Sequence, residues 1–247
     1  MSQQRHIRTE IKYQLLVSVL GLLLIAALTG FPPTVTGDPS WRKPVIGSIF
    51  SSICVLGILA VFSPNQCLKI INIGKKKKTA GSDSPKLASH GASYALQGHH
   101  PTCGKYYAHI FRIKDNIFCA ACAGLLLGGL LALAVAAVYF FGDWRIAEHS
   151  SLMALLGIVA VSLGLFQFKF RSLVRLSVNT IFVLGTLLTL IGIDELVHSL
   201  FFDLFVVSLI VFWLFTRISL SQWDHERICS DCEIEDCRIR EEKKGGG

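Results

Sequence analysis

AACAGLLLGGLLALAVAAVYFF, residues 120–141, contains no charged side chain and no proline. At about 1.5 Å rise per residue, a helix of this length covers the roughly 30 Å of bilayer hydrocarbon. Lipid offers no water to backbone N–H and C=O groups, so a spanning segment must be a helix or a strand of a closed barrel. Barrel strands alternate apolar and polar side chains with period two, and this stretch does not alternate. Five other runs have the same character: 13–31, 45–62, 152–168, 176–193 and 200–216. The pattern predicts an all-α, polytopic membrane protein with about six transmembrane helices.

Composition agrees with this reading. The 247 residues are 52% hydrophobic and 17% charged, with mean hydropathy +0.53, whereas soluble domains carry about 25% charge. Arg5, Arg8 and Lys12 precede the first run, as they would in a secretory leader. However, its apolar stretch exceeds the roughly 7–15 residues of a leader core. It also ends in Phe31-Pro32-Pro33 with no small-x-small site, so a retained anchor is expected.

Cytoplasmic loops carry excess Lys and Arg. Basic residues crowd the N-terminal arm and the loop after the second run (Lys69, Lys75, Lys76, Lys77, Lys78, Lys86, Lys105, Arg112, Lys114). They recur after the fourth run (Lys169, Arg171, Arg175) and in the tail (Arg217, Arg227, Arg238, Arg240, Lys243, Lys244). The alternate loops hold only Arg42, Lys43 and Arg145. This places both termini in the cytoplasm and the protein in the cell membrane as a multi-pass chain. The net charge of +7 is accounted for by these loops and gives no support to nucleic-acid binding.

The expected organisation is a pair of helices in 1–62, a basic linker in 63–98, a Cys/His segment in 99–122, four helices within 120–216 and a Cys-rich charged tail in 217–247. The linker is rich in Lys, Ser, Gly and Ala, which predicts disorder. Lys75, Lys76, Lys77 and Lys78 read as a solvated topogenic run, with anionic lipid as the alternative partner.

Two sets of soft ligands flank the apolar runs. The first is His99, His100, Cys103, His109, Cys119 and Cys122; the second is His225, Cys229, Cys232 and Cys237. Structural zinc takes four sulfur or nitrogen ligands in a tetrahedron, and each set offers at least four. A metal ion would fold a segment too short to have its own core, and cytoplasmic thiols stay reduced and available to it. The alternative arrangement pools ligands from the two sets in one site. Iron–sulfur chemistry needs cysteine ligands; the tail has three, so Cys67 or a first-set thiol would have to complete it. Cys119 and Cys122 also open a membrane helix, whose N-terminus stabilises thiolate, the setting of a redox dithiol in membrane thiol oxidases and quinone-linked reductases. The plain alternative is that these two cysteines pack as small apolar residues.

The stretch His99-His100-Pro101, Cys103, His109, Phe118-Cys119-Ala120-Ala121-Cys122-Ala123-Gly124-Leu125, Gly128 resembles the signature of a group of uncharacterised prokaryotic polytopic membrane proteins. In that group a Cys/His segment precedes a CxxCxG motif at the start of a transmembrane helix. The likeness spans residues 99–128, and here Ala120 and Ala121 stand where such proteins often carry Arg. It implies a membrane protein with a Cys/His motif and carries no activity.

Within the apolar runs, Gly124 and Gly128 form a GxxxG, read as tight packing inside the bundle or as a homo-oligomer contact. Asp194, Glu195, His198 and Asp203 gather between the last two runs. Asp194 and His198, four apart, would share a helix face. They read as a polar turn or as a cation or proton site. Cys54 reads as a small apolar residue. The chain has no P-loop, dinucleotide fingerprint, GxSxG or HExxH. The expected function is thus a membrane protein with cytoplasmic Cys/His zinc sites of structural or sensory role. The alternatives are a thiol–disulfide oxidoreductase using Cys119 and Cys122, and a divalent-cation transporter.

Overall fold

The computed structural model describes residues 2–34, 39–62, 109–113, 116–142 and 147–230. They form six helices: α1 Ser2–Gly30, α2 Arg42–Phe62, α3 Ala120–Phe141, α4 Ser150–Leu165, α5 Ser172–Val197 and α6 Leu200–Ser230. An antiparallel hairpin, β1 Ile110–Ile113 and β2 Asn116–Cys119, pairs Ile110 with Cys119 and leads directly into α3. The described residues are thus nearly all helical. Five helices are long and apolar enough to cross a membrane, while α4 is shorter. At about 1.5 Å per residue α4 reaches only some 24 Å, because a 3-10 turn, Gln167–Lys169, takes over where the expected fourth run would have continued.

Contacts fix the helix directions. Ser18 Oγ donates to Thr216 Oγ1 at 3.2 Å, and Gly21 faces Leu209 and Trp213, so α1 and α6 run antiparallel. Gly47 lies against Phe140 and Gly129 against Ile58, so α2 opposes α3. Gly192 faces Ala154 and Ser150 while Gly164 faces Phe182, which makes α4 antiparallel to α5. Gly124 meets Leu176 and Asn179, and Gly128 meets Thr180 and Val183, so α3 and α5 run parallel. Thr180 Oγ1 donates to Gly124 O at 3.1 Å across that contact. Of the two readings of the Gly124/Gly128 stripe, tight packing within the chain is the one this contact realises.

Helix α5 is the centre. Of its apolar window 72% is buried, against 28% in α1, α2 and α3. The outer helices turn exposed leucines away from it, among them Leu20, Leu23 and Leu24 of α1, Leu127, Leu130 and Leu131 of α3, and Leu152, Leu155 and Leu156 of α4. An exposed apolar surface of this extent suits lipid, where burial from water is not required of the outer face.

Besides the shorter α4, three features differ from the sequence reading. The hairpin is one; Ile110, Phe111, Ile113, Ile117 and Phe118 are β-branched or aromatic, and Phe111 stacks on Phe118 with ring centroids 5.6 Å apart. The length of α6 is another. It runs past residue 216 to Ser230, because Arg217, Leu220 and Asp224 are buried on the bundle and hold the last turns in place. The third concerns α5, which ends at Val197. His198 takes a left-handed conformation (φ 51°, ψ 41°) and is exposed, so it does not share a helix face with buried Asp194.

Candidate functional site

The hairpin end gathers the N-termini of α3 and α5 and the C-terminal turns of α6. Cys119 closes β2 and caps α3, with extended backbone (φ −75°, ψ 119°) and no side-chain cap bond. Cys122 lies in the first turn. Cys119 is buried and Cys122 half-buried. The CxxC thus sits at the end of a long helix whose first N–H groups have no intrahelical partner and whose dipole favours negative charge.

Two buried arginines face this motif. Arg175 of α5 donates from one terminal nitrogen to His109 Nε2 at 3.1 Å and from the other to Asp224 Oδ2 at 3.3 Å. Arginine only donates, so Nε2 of His109 accepts here. Arg217 of α6 donates through Nε to Asn179 Oδ1 at 2.9 Å and through a terminal nitrogen to Gln167 Oε1 at 3.2 Å. Asn179 in turn donates to Arg175 O at 2.6 Å. Arg175 interacts electrostatically with Cys119, and Arg217 with both Cys119 and Cys122. Among the described residues at this end, the buried carboxylate is Asp224, which pairs with Arg175.

The two ligand sets meet in this layer. His109 from the first packs on His225 from the second, ring centroids 5.1 Å apart. Among the described residues, no group of three or more His, Cys, Asp or Glu side chains is arranged to hold a metal ion. His99, His100, Cys103, Cys232 and Cys237 lie outside the described residues, as do Cys67 and the lysines 75–78. Cys229 lies on α6. Sequence reasoning named the thiols and histidines of this layer but missed Arg175, Arg217, Asn179 and Asp224. The signal was present: Asn179 interrupts an apolar run, and Arg175 and Arg217 each adjoin one.

The opposite end holds a second buried polar cluster. Arg42, from the start of α2, bonds Asp194 of α5 at 2.5 Å and Asp203 of α6, with all three side chains fully buried. Lys43 pairs with Glu195 at 2.7 Å and lies over the ring of Tyr139, 4.4 Å from its centroid. The Tyr139 hydroxyl reaches both Glu195 Oε1, at 2.8 Å, and Asp194 Oδ2. Asp194, Glu195 and Asp203 were expected as a polar turn or ion site. Their partners were not foreseen, since Arg42 and Lys43 read as loop charges and Tyr139 as part of an apolar run. Arg175 and Asp194 lie on the same helix, about 28 Å apart along its axis at 1.5 Å per residue, so the two polar layers bracket a hydrocarbon thickness.

No protein-family model, curated protein or solved structure matches this chain. The fold and its two polar layers therefore define its class on their own terms: a multi-helical chain with, among the described residues, five helices long and apolar enough to cross a membrane, and a pair of cysteines beside buried arginines at one end.

Proposed function

We propose that this is a multi-pass membrane protein of the cell membrane whose hairpin end faces the cytoplasm. There it holds a thiolate-rich metal site, with zinc as the metal and a structural or sensory role. One observation carries the reading: two buried guanidiniums flank Cys119 and Cys122, and Asp224 compensates one of them. A buried charge needs a partner, and among the described residues sulfur in its thiolate form is the candidate for Arg217. Zinc bound by three or four thiolates carries a net negative charge, which stays in place at any pH where the metal stays bound. Cys103, Cys229, Cys232 and Cys237 are the further ligands the sequence supplies, and the packing of His109 on His225 supports one site pooled from both sets.

The orientation is supported by charge. Lys12, Lys169, Arg171, Arg175, Arg217 and Arg227 all belong to the hairpin end. At the opposite end, Arg42 and Lys43 are both held by carboxylates. By the positive-inside rule the hairpin end is then cytoplasmic.

Mass spectrometry of the intact, detergent-purified chain under reducing conditions is expected to show at least one equivalent of zinc. Cys119→Ser/Cys122→Ser should lose it. A metal-free wild-type chain whose two thiols alkylate freely would sink the zinc reading. The same thiolates would then point to disulfide exchange, which a reversible Cys119–Cys122 bridge would establish.

A further inference from the structure

We propose that the opposite end of the bundle is a proton-binding site, in which one exchangeable proton is held among Asp194, Asp203 and Glu195 and bridges α5 to α6. This does not rest on the thiol site, which lies at the other end of α5.

The first reason is charge. Among the described residues, three buried carboxyl groups meet two cations, Arg42 and Lys43. Asp194, Asp203 and Arg42 have no solvent exposure, and Glu195 has almost none. Fully ionised, the cluster would bury one uncompensated negative charge. A single proton makes it neutral.

The second reason is a shortage of donors. The Tyr139 hydroxyl stands within hydrogen-bond distance of Asp194 Oδ2 and Glu195 Oε1. A phenol has one proton and can serve one of them. One terminal nitrogen of Arg42 bonds both Asp194 Oδ1 and Asp203 Oδ2, which brings the two carboxyl groups side by side. Ionised carboxylates only accept, so facing carboxyls need a proton between them, as in shared-proton acid pairs. Asp203 Oδ1 is buried and receives no hydrogen bond from any described donor. A proton on this carboxyl, or on its neighbour, supplies what the network lacks. A metal ion is less well suited, because Arg42 already bridges the two aspartates.

The surroundings are closed on most sides. Helix α2 contributes Arg42 and Lys43, α3 Tyr139, α5 Asp194 and Glu195, and α6 Asp203. Exposed His198 acts on Glu195 electrostatically, and Glu148 and His149, before α4, are exposed. Among its described residues, α1 brings no ionisable group to this end. Lys43, 22% exposed, is the edge of the cluster that meets the surface. Protons exchange through Lys43 and Glu195, and arrival or departure of one changes how α2 is held against α5 and α6.

The test is infrared spectroscopy of the full chain in lipid nanodiscs at neutral pH, in water and in deuterium oxide. The expected result is a protonated-carboxyl C=O band, distinct from the carboxylate bands, that shifts on deuteration. Asp203→Asn, which keeps the shape and adds a donor, should abolish it. Tyr139→Phe removes one hydrogen bond but no carboxyl and should move the band without removing it, which keeps the idea testable if Asp203→Asn does not fold. Absence of any protonated-carboxyl band in the wild-type protein overturns the proposal. So does a band unmoved by either substitution.

Discussion

Arg42→Ala is expected to cost about 3–5 kcal/mol of stability, the range for removing one partner of a buried ion pair. Thermal melting of the detergent-solubilised chain should show it as a large drop in midpoint or as failure to recover folded protein. The guanidinium has no solvent exposure and bonds Asp194 and Asp203, which come from two different helices. Its loss leaves both carboxyls buried without their main donor. The attraction itself is not what makes the loss large; most of the expected cost is the desolvation of the groups left behind. A combined variant separates the two effects. Arg42→Met with Asp194→Asn and Asp203→Asn removes all three charges of the junction together, leaves the Lys43–Glu195 pair in place, and should recover most of the stability. If Arg42→Ala melts like the wild-type protein, the three-helix junction drawn here is wrong.

Gly157→Ala is the second large effect, about 1–3 kcal/mol of overpacking, and Gly57→Ala is its control. Each adds one methyl group to a helix. At position 157 a β-carbon would stand 2.6 Å from Thr189 N and 2.7 Å from Gly185 O, and closer still to Thr189 Oγ1. Two of these atoms are backbone and cannot rotate away, so α4 would have to move off α5. At position 57 a β-carbon meets nothing within 4 Å. That change should be neutral or stabilise by up to about 1 kcal/mol, since alanine favours the helix. Parallel melting curves, with gel filtration for aggregation, decide the matter. Equal behaviour of the two variants would mean that α4 and α5 do not approach as closely as Gly157 and Gly185 allow.

Much of the fold could be read from residues alone because its signal is local. Long apolar runs without charge or alternation permit only helices in lipid, and five of the six expected runs became helices of spanning length. The sixth, α4, fell short at Leu165, where the chain turns into Gln167–Lys169. Buried Gln167 bonds Arg217 there, a contact between distant segments that no local pattern contains. The thiols and histidines were legible for a similar reason, since ligand types are rare enough to be counted by eye. The charges that surround them were not, because Arg175 and Arg217 look like ordinary boundary residues until the helices are assembled.

The sequence by itself determined the helical class of this chain, the runs long and apolar enough to cross a membrane, and which residue types can ligate or exchange protons. Periodicity, composition and loop charge are properties of neighbours along the chain, and they survive without a third dimension. Only the tertiary structure decided which charges meet. Arg42 joins Asp194 and Asp203 across three helices, and Arg175 joins His109 to Asp224 across three elements. Such partnerships depend on helix direction, rotation and register. Small residues at crossings such as Gly124 and Gly157 set those, through contacts between segments far apart in sequence.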